Sequence, residues 1–137
     1  MQISDFISKM EISKLLFSSR CKLCNGQISE GSVCCTCDYK IKSKIKLRQR
    51  IVYTDKARIE CFYLFDYDDK TVQKLLYALK RNADRGLFEY AAGLYELIVQ
   101  NVPGGVLSYV PRRRVNVRNF SYDQMQKVCK LLARRCN

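Results

Sequence analysis

Cys21-Lys22-Leu23-Cys24, nine intervening residues, then Cys34-Cys35-Thr36-Cys37: this stretch holds five of the chain's eight cysteines. Two CxxC pairs at such a separation can aim four thiolates at one zinc ion, because each pair forms a tight turn that brings two sulfurs to the same side. Asn25-Gly26 and Glu30-Gly31 supply the turn chemistry, so the segment reads as a small zinc ribbon or knuckle with Cys21, Cys24, Cys34 and Cys37 as ligands. Cys35 competes with Cys34, and the CxxC spacing favours Cys34. The rival reading is a disulfide framework, which needs an oxidising compartment. A thioredoxin-like CxxC would need a surrounding βαβ pattern, and none is visible. A site of four thiolates leaves no position for water or substrate, so the expected zinc is structural. Four thiolates and one Zn2+ carry −2, which takes the chain from its formal +12 to +10.

Composition narrows the rest. The 137 residues contain 25 Lys or Arg against 13 Asp or Glu, no histidine and no tryptophan. Without histidine, imidazole-based triads, His-ligated catalytic zinc and histidine pH switches are excluded. With 47% apolar and 28% charged residues the chain has a globular composition. No apolar run approaches the roughly 18 residues of a membrane span. Asp5, Lys9, Glu11 and Lys14 interrupt any signal-peptide core, so the expectation is a cytoplasmic protein with no membrane partner. The basic surplus is uneven: +6 over residues 1–60, −1 over 61–110 and +7 over 111–137. Basic ends of this kind attract phosphate-bearing partners, or serve only as a solvated surface.

Ile3, Phe6, Ile7 and Met10 follow helical spacing, giving an amphipathic N-terminal helix within residues 1–20. Residues 21–50 form the ribbon and a basic linker. In that linker Lys40, Lys42, Lys44, Lys46, Arg48 and Arg50 alternate with uncharged residues. As a strand it would put all six cations on one face, either meeting phosphates or keeping an edge from unwanted pairing. Residues 51–137 read as an α/β segment. It has a strand over 61–65, helices over 72–79 and 87–100, and a turn at Pro103-Gly104-Gly105 into a strand over 106–110. A basic loop follows, then a last helix to about Arg135 that opens with the capping box Ser121-x-x-Gln124. Cys61, Cys129 and Cys136 read as small buried side chains.

Several of these pieces occur together in a known order. They are Leu15-Leu16-Phe17-Ser18-Ser19-Arg20-Cys21-Lys22-Leu23-Cys24, the second CxxC, and Tyr67 leading into a helix that ends Leu79-Lys80-Arg81. Val110-Pro111-Arg112-Arg113-Arg114 and then Arg118-Asn119-Phe120-Ser121-Tyr122-Asp123-Gln124 complete the set. In this the chain resembles the ComF family of competence-associated, phosphoribosyltransferase-like proteins with an N-terminal double-CxxC zinc ribbon, over nearly its whole length. The resemblance implies an incomplete type I phosphoribosyltransferase-like α/β domain with a parallel sheet. Family members grip phosphoribosyl pyrophosphate with a later apolar-Asp-Asp-x-x-Thr-Thr-Gly-x-Thr loop, which this sequence does not contain. Asp68-Asp69-Lys70-Thr71 does not substitute, since no Thr-Gly follows. Where the family has glycine before the aromatic residue this chain has Ser121, a residue that disfavours positive φ and suits an N-cap.

The expected function is therefore a ComF-like protein linked to DNA uptake, C-terminally shortened and inactive alone, with no catalytic residue assigned. It would take phosphoribosyl pyrophosphate only if another chain completed it. The alternative is a zinc-ribbon module that binds nucleic acid or docks to competence machinery. Arg112, Arg113, Arg114 and Arg118 are the candidate phosphate or nucleic-acid contacts, because the guanidinium fork suits phosphate oxygens.

Overall fold

A computed structural model describes residues 19–102, 104 and 106–136. The N-terminal helix expected within residues 1–20 lies outside them but for its last two positions, as do Pro103 and Gly105 of the expected turn. The elements run α1 (Cys35–Lys42), β1 (Arg48–Tyr53), β2 (Arg58–Tyr63), α2 (Lys70–Arg81), α3 (Arg85–Asn101), α4 (Arg114–Phe120) and α5 (Gln124–Cys136). The fold is thus mixed helix and sheet.

Three helices build the core, and each starts on an aspartate. Asp69 Oδ1 accepts from the amides of Thr71 (2.8 Å) and Val72 (3.4 Å) at the head of α2. Asp84 Oδ1 accepts from Leu87 N–H (2.7 Å) at α3. Asp123 Oδ1 accepts from Met125 (3.0 Å) and Gln126 (3.3 Å) at α5. Such caps satisfy amides that have no partner inside the helix and place negative charge at the positive end of its dipole. Apolar residues at helical spacing then fix the inward faces: Val72, Leu75, Ala78 and Leu79 on α2; Leu87, Phe88, Ala91, Ala92 and Leu94 on α3; Val128 and Leu132 on α5. Full burial of each large side chain contributes about 1.5–3 kcal/mol. Ile41 of α1 is completely buried in the same cluster, so the cysteine-rich segment shares this core.

Several expectations are corrected. The basic ladder is not one strand: Lys40 and Lys42 lie on α1, Lys44 and Lys46 in the connection, and only Arg48 and Arg50 on β1. Helix wins there because Cys34 caps α1 and Lys42 Nζ closes an i,i+4 pair with Asp38 at 2.9 Å. The strand expected over 61–65 runs instead over Arg58–Tyr63, and Leu64 leaves the sheet to enter the core. Among the described residues the sheet is an antiparallel pair, Arg48 opposite Tyr63 through Tyr53 opposite Arg58, and not a parallel one. Residues 106–110 form no strand; Val106 and Val110 are 96% and 84% exposed, and among the described residues no neighbouring strand offers them hydrogen-bond partners.

The expected basic loop after Pro111 contains the helix α4. Nor is the capping box used. Asp123 caps α5, and Ser121 instead ends α4 in the left-handed conformation at φ 60°, donating its N–H to Val117 O at 2.7 Å. The closing hydrogen bond holds a serine where glycine would be less strained. Cys61 and Cys136 are exposed and Cys129 half-buried, against the expectation of burial: Cys61 sits on the open hairpin and Cys136 on the last turn of α5.

Candidate metal centre and basic surfaces

The two halves of the cysteine cluster are built differently. The first is a knuckle. Arg20 and Gln27 form an antiparallel bridge, Cys21 N–H donates to Gly26 O (2.8 Å), and Asn25 N–H donates back to Cys21 O (2.8 Å). Asn25 takes φ 62° to close the turn, a conformation asparagine tolerates better than most residues. The second half is the start of a helix: Cys34 is the N-cap of α1 and its Sγ accepts from Cys37 N–H at 3.4 Å. Lys22 N–H donating to Ser32 O (2.9 Å) joins the halves.

Together they gather Cys21, Cys24, Cys34 and Cys37, with all four sulfurs within 4.8 Å of one another. Cys24 Sγ and Cys34 Sγ are 3.7 Å apart. A tetrahedron of sulfurs about 2.3 Å from a central ion has edges near 3.8 Å, so the spacing fits an S4 metal site. Cys35, at the first position of α1, is exposed and outside the group. Backbone amides point at the sulfurs: Cys34 N–H at Cys21 Sγ (3.3 Å) and Gly26 N–H at Cys24 Sγ (3.4 Å).

The electrostatics favour a cation. Burial opposes ionisation of the Cys21 thiol, yet the amides of Cys34, Cys24 and Leu23 and the Cys24 thiol outweigh it and bring its pKa from 9.0 down to about 6. Burial, hydrogen bonds with the other three thiols and the Cys21 charge push Cys37 far the other way. Sulfurs this close cannot all ionise among themselves; a divalent ion at the centre removes that restriction. The group can therefore hold a metal ion.

A second layer ties the cluster to the core. Ser32 Oγ donates to Asp84 Oδ1 (2.5 Å), and Lys22 Nζ lies 3.8 Å from Asp84 Oδ2. Asp38, next to Cys37, faces Tyr90 of α3. Among the described residues, Asp38 Oδ1 and Tyr90 Oη are both buried without a hydrogen-bond partner. Burial first, then the Asp38 carboxylate, holds the Tyr90 phenol well above its usual range. The sequence carries no local signal for this layer, because Ser32 and Asp84 are 52 positions apart; the spacing of Asp84 before Leu87 marks only the start of α3.

Of the candidate arginines, Arg113 takes the N-cap position of α4, and Arg114 and Arg118 stand at i,i+4 on that helix. Arg112 is a structural residue: its guanidinium lies 4.4 Å from the Phe120 ring centroid and 5.7 Å from that of Tyr122. The backbone N–H of Arg112 donates to Asp123 Oδ2 at 2.7 Å. Arg113, Arg114 and Arg118 are exposed on and beside α4. A second set of cations meets in a cavity of about 610 Å3, where Arg85 of α3 and Lys127, Lys130 and Arg134 of α5 surround Phe88, Phe120 and Tyr122. No helix among the described residues is long and apolar enough to cross a membrane.

Comparison with protein-family models, with curated proteins and with solved structures finds no match to this chain.

Proposed function

We propose that Cys21, Cys24, Cys34 and Cys37 hold one structural zinc ion and that the chain is a ComF-type protein linked to DNA uptake, without phosphoribosyl-transfer activity of its own. The observation that carries the metal assignment is the four-sulfur group, all within 4.8 Å. Four soft thiolates suit zinc or iron, and two CxxC pairs closing a four-ligand site are the pattern of structural zinc. The ComF reading is supported by the order of the sequence motifs and by Ser121, whose φ of 60° is the backbone conformation that a glycine in that place favours. The absence of the Asp-Asp-x-x-Thr-Thr-Gly loop from the sequence is the reason for assigning no transfer activity. Calorimetric titration with phosphoribosyl pyrophosphate tests this: no binding heat is expected from the chain alone, and saturable heat at micromolar ligand would overturn it.

A second reading, a nucleic-acid-binding module, is favoured by one observation, the grouping of Arg85, Lys127, Lys130 and Arg134 around exposed aromatic surface. Cations with an interleaved ring offer both phosphate and base contacts. The two readings are compatible. Docking to competence proteins is the remaining proposal, and pull-down with and without chelator separates it from the others.

A further inference from the structure

Lys127, Lys130 and Arg134 recur at i, i+3 and i+7 on α5, so they stand in one row about 10 Å long on a single face of the helix. All three are exposed, and among the described residues no carboxylate oxygen lies within 4.0 Å of any of them. Across the cavity stands Arg85, held at 2.8 Å by Glu89 of its own helix. The wall between is aromatic. Phe88 and Tyr122 are buried and pack at 5.7 Å between ring centroids, while Phe120 keeps 41% of its surface exposed. The Arg112 guanidinium over Phe120 holds that ring in place. A row of uncompensated cations along a hollow is unfavourable for the fold by itself and becomes favourable when a polyanion lies in it.

We propose that this hollow binds a short stretch of single-stranded nucleic acid, its phosphates on Lys127, Lys130, Arg134 and Arg85 and a base against Phe120. The proposal rests on the nucleic-acid reading above and places the phosphate contacts on α3 and α5, with Arg112 behind the Phe120 ring. A single strand is chosen over a duplex because paired bases hide the faces that a ring stacks on, and because the site is concave. RNA and DNA share the required chemistry.

The test is fluorescence anisotropy with labelled oligo-dT, oligo-rU and a duplex of equal length. The proteins are the wild-type chain, a Lys127→Ala/Lys130→Ala/Arg134→Ala variant, and a Lys40→Ala/Lys46→Ala/Arg50→Ala variant that removes the same charge elsewhere. All six positions are exposed, and thermal melts by circular dichroism check that the variants fold. Four phosphate contacts on a single strand give a salt slope of about −3, so wild-type affinity should fall about 50-fold between roughly 50 and 200 mM salt. The groove variant, left with about one contact, should fall only about 3-fold over the same range and bind far more weakly at low salt. Phe120→Leu should cost about 5-fold or more without changing the slope. Preference of oligo-rU over oligo-dT, or the reverse, identifies the natural strand, and either supports the site. Equal losses in the two triple variants would overturn the groove while leaving nucleic-acid binding standing. Duplex bound as tightly as single strand would also overturn it. No binding by wild-type chain to any probe would overturn both the groove and the reading beneath it.

Discussion

Ser32 Oγ donates a hydrogen bond to Asp84 Oδ1, so the loop between the two CxxC pairs is fastened to the residue that caps α3. One carboxylate thereby serves two structures, and Lys22 adds a longer ionic contact to it. The approach is close: a Cβ placed on Gly86 would collide with Ser32 Oγ. The cysteine cluster and the helical core are coupled through this junction, and the first prediction tests that coupling.

Asp84→Ala should lower stability by about 1–2 kcal/mol, the range for losing an N-cap. In a chain of this size that corresponds to about 3–6 °C in melting temperature. Gly86→Ala should leave the cap intact yet loosen the loop, because Ser32 must move. The expected result is faster release of metal to a chromophoric chelator than from wild type in both variants. Unchanged release in both would show that the cluster is independent of α3.

Asp69 carries a pH signature. The Lys44 ammonium (3.1 Å), with the amide of Thr71, holds its carboxyl below the usual carboxylate value. A depressed folded-state pKa means the contribution is complete above the unfolded pKa near 3.9 and disappears as pH falls through the lower folded value. Asn can still cap the helix, so Asp69→Asn should keep most of the stability at pH 7. It should also show a shallower loss in urea melts below about pH 4. Parallel acid limbs in the two proteins would contradict the assignment.

Tyr122 links α5 to the end of α2: its hydroxyl donates to Lys80 O (2.8 Å) and Leu79 O (3.3 Å). Tyr122→Phe keeps the ring against Phe88 and removes the donor, and should cost about 1 kcal/mol. Burial, opposed by Arg112, also keeps this phenol above its ordinary pKa. The neutral form is the folded form, so its contribution holds below pH 10 and fades above it. The difference between wild type and Tyr122→Phe in denaturant midpoint should therefore shrink at alkaline pH.

Much of this was legible in the sequence. The two CxxC pairs and the periodic apolar residues of α2, α3 and α5 announced themselves, because local spacing and the inward helix face carry the same signal. What was not legible depends on distant partners. Alternation in 40–50 resembles a strand, yet Cys34 and Asp38 commit its first third to α1. Val106 to Val110 has strand composition, but strand formation requires a neighbour, and among the described residues none stands beside it. Ser121 looks like an N-cap until the end of α4, itself unforeseen, claims it for a left-handed turn. The cations of the groove come from α3 and α5, 42 positions apart at Arg85 and Lys127, a distance no motif spans.

The exposed Val106 and Val110, and the hairpin residues Ile51, Val52, Tyr53 and Ile59, leave apolar surface and strand edges in water. Concentration-dependent self-association is expected in sedimentation velocity. A Val106→Lys/Val110→Lys variant should reduce it while changing stability by less than about 0.5 kcal/mol, as exposed substitutions do. Self-association that the variant leaves untouched would move the sticky surface elsewhere.

The central claim is that four sulfurs enclose one metal ion. Native mass spectrometry alongside elemental analysis of purified wild-type and Cys37→Ser protein tests it most directly. One zinc per chain in the wild type, lost in the variant together with a cooperative melt, is the predicted result. A wild-type chain that carries no metal, or that holds Cys21, Cys24, Cys34 and Cys37 as disulfides after preparation under reducing conditions, would contradict it.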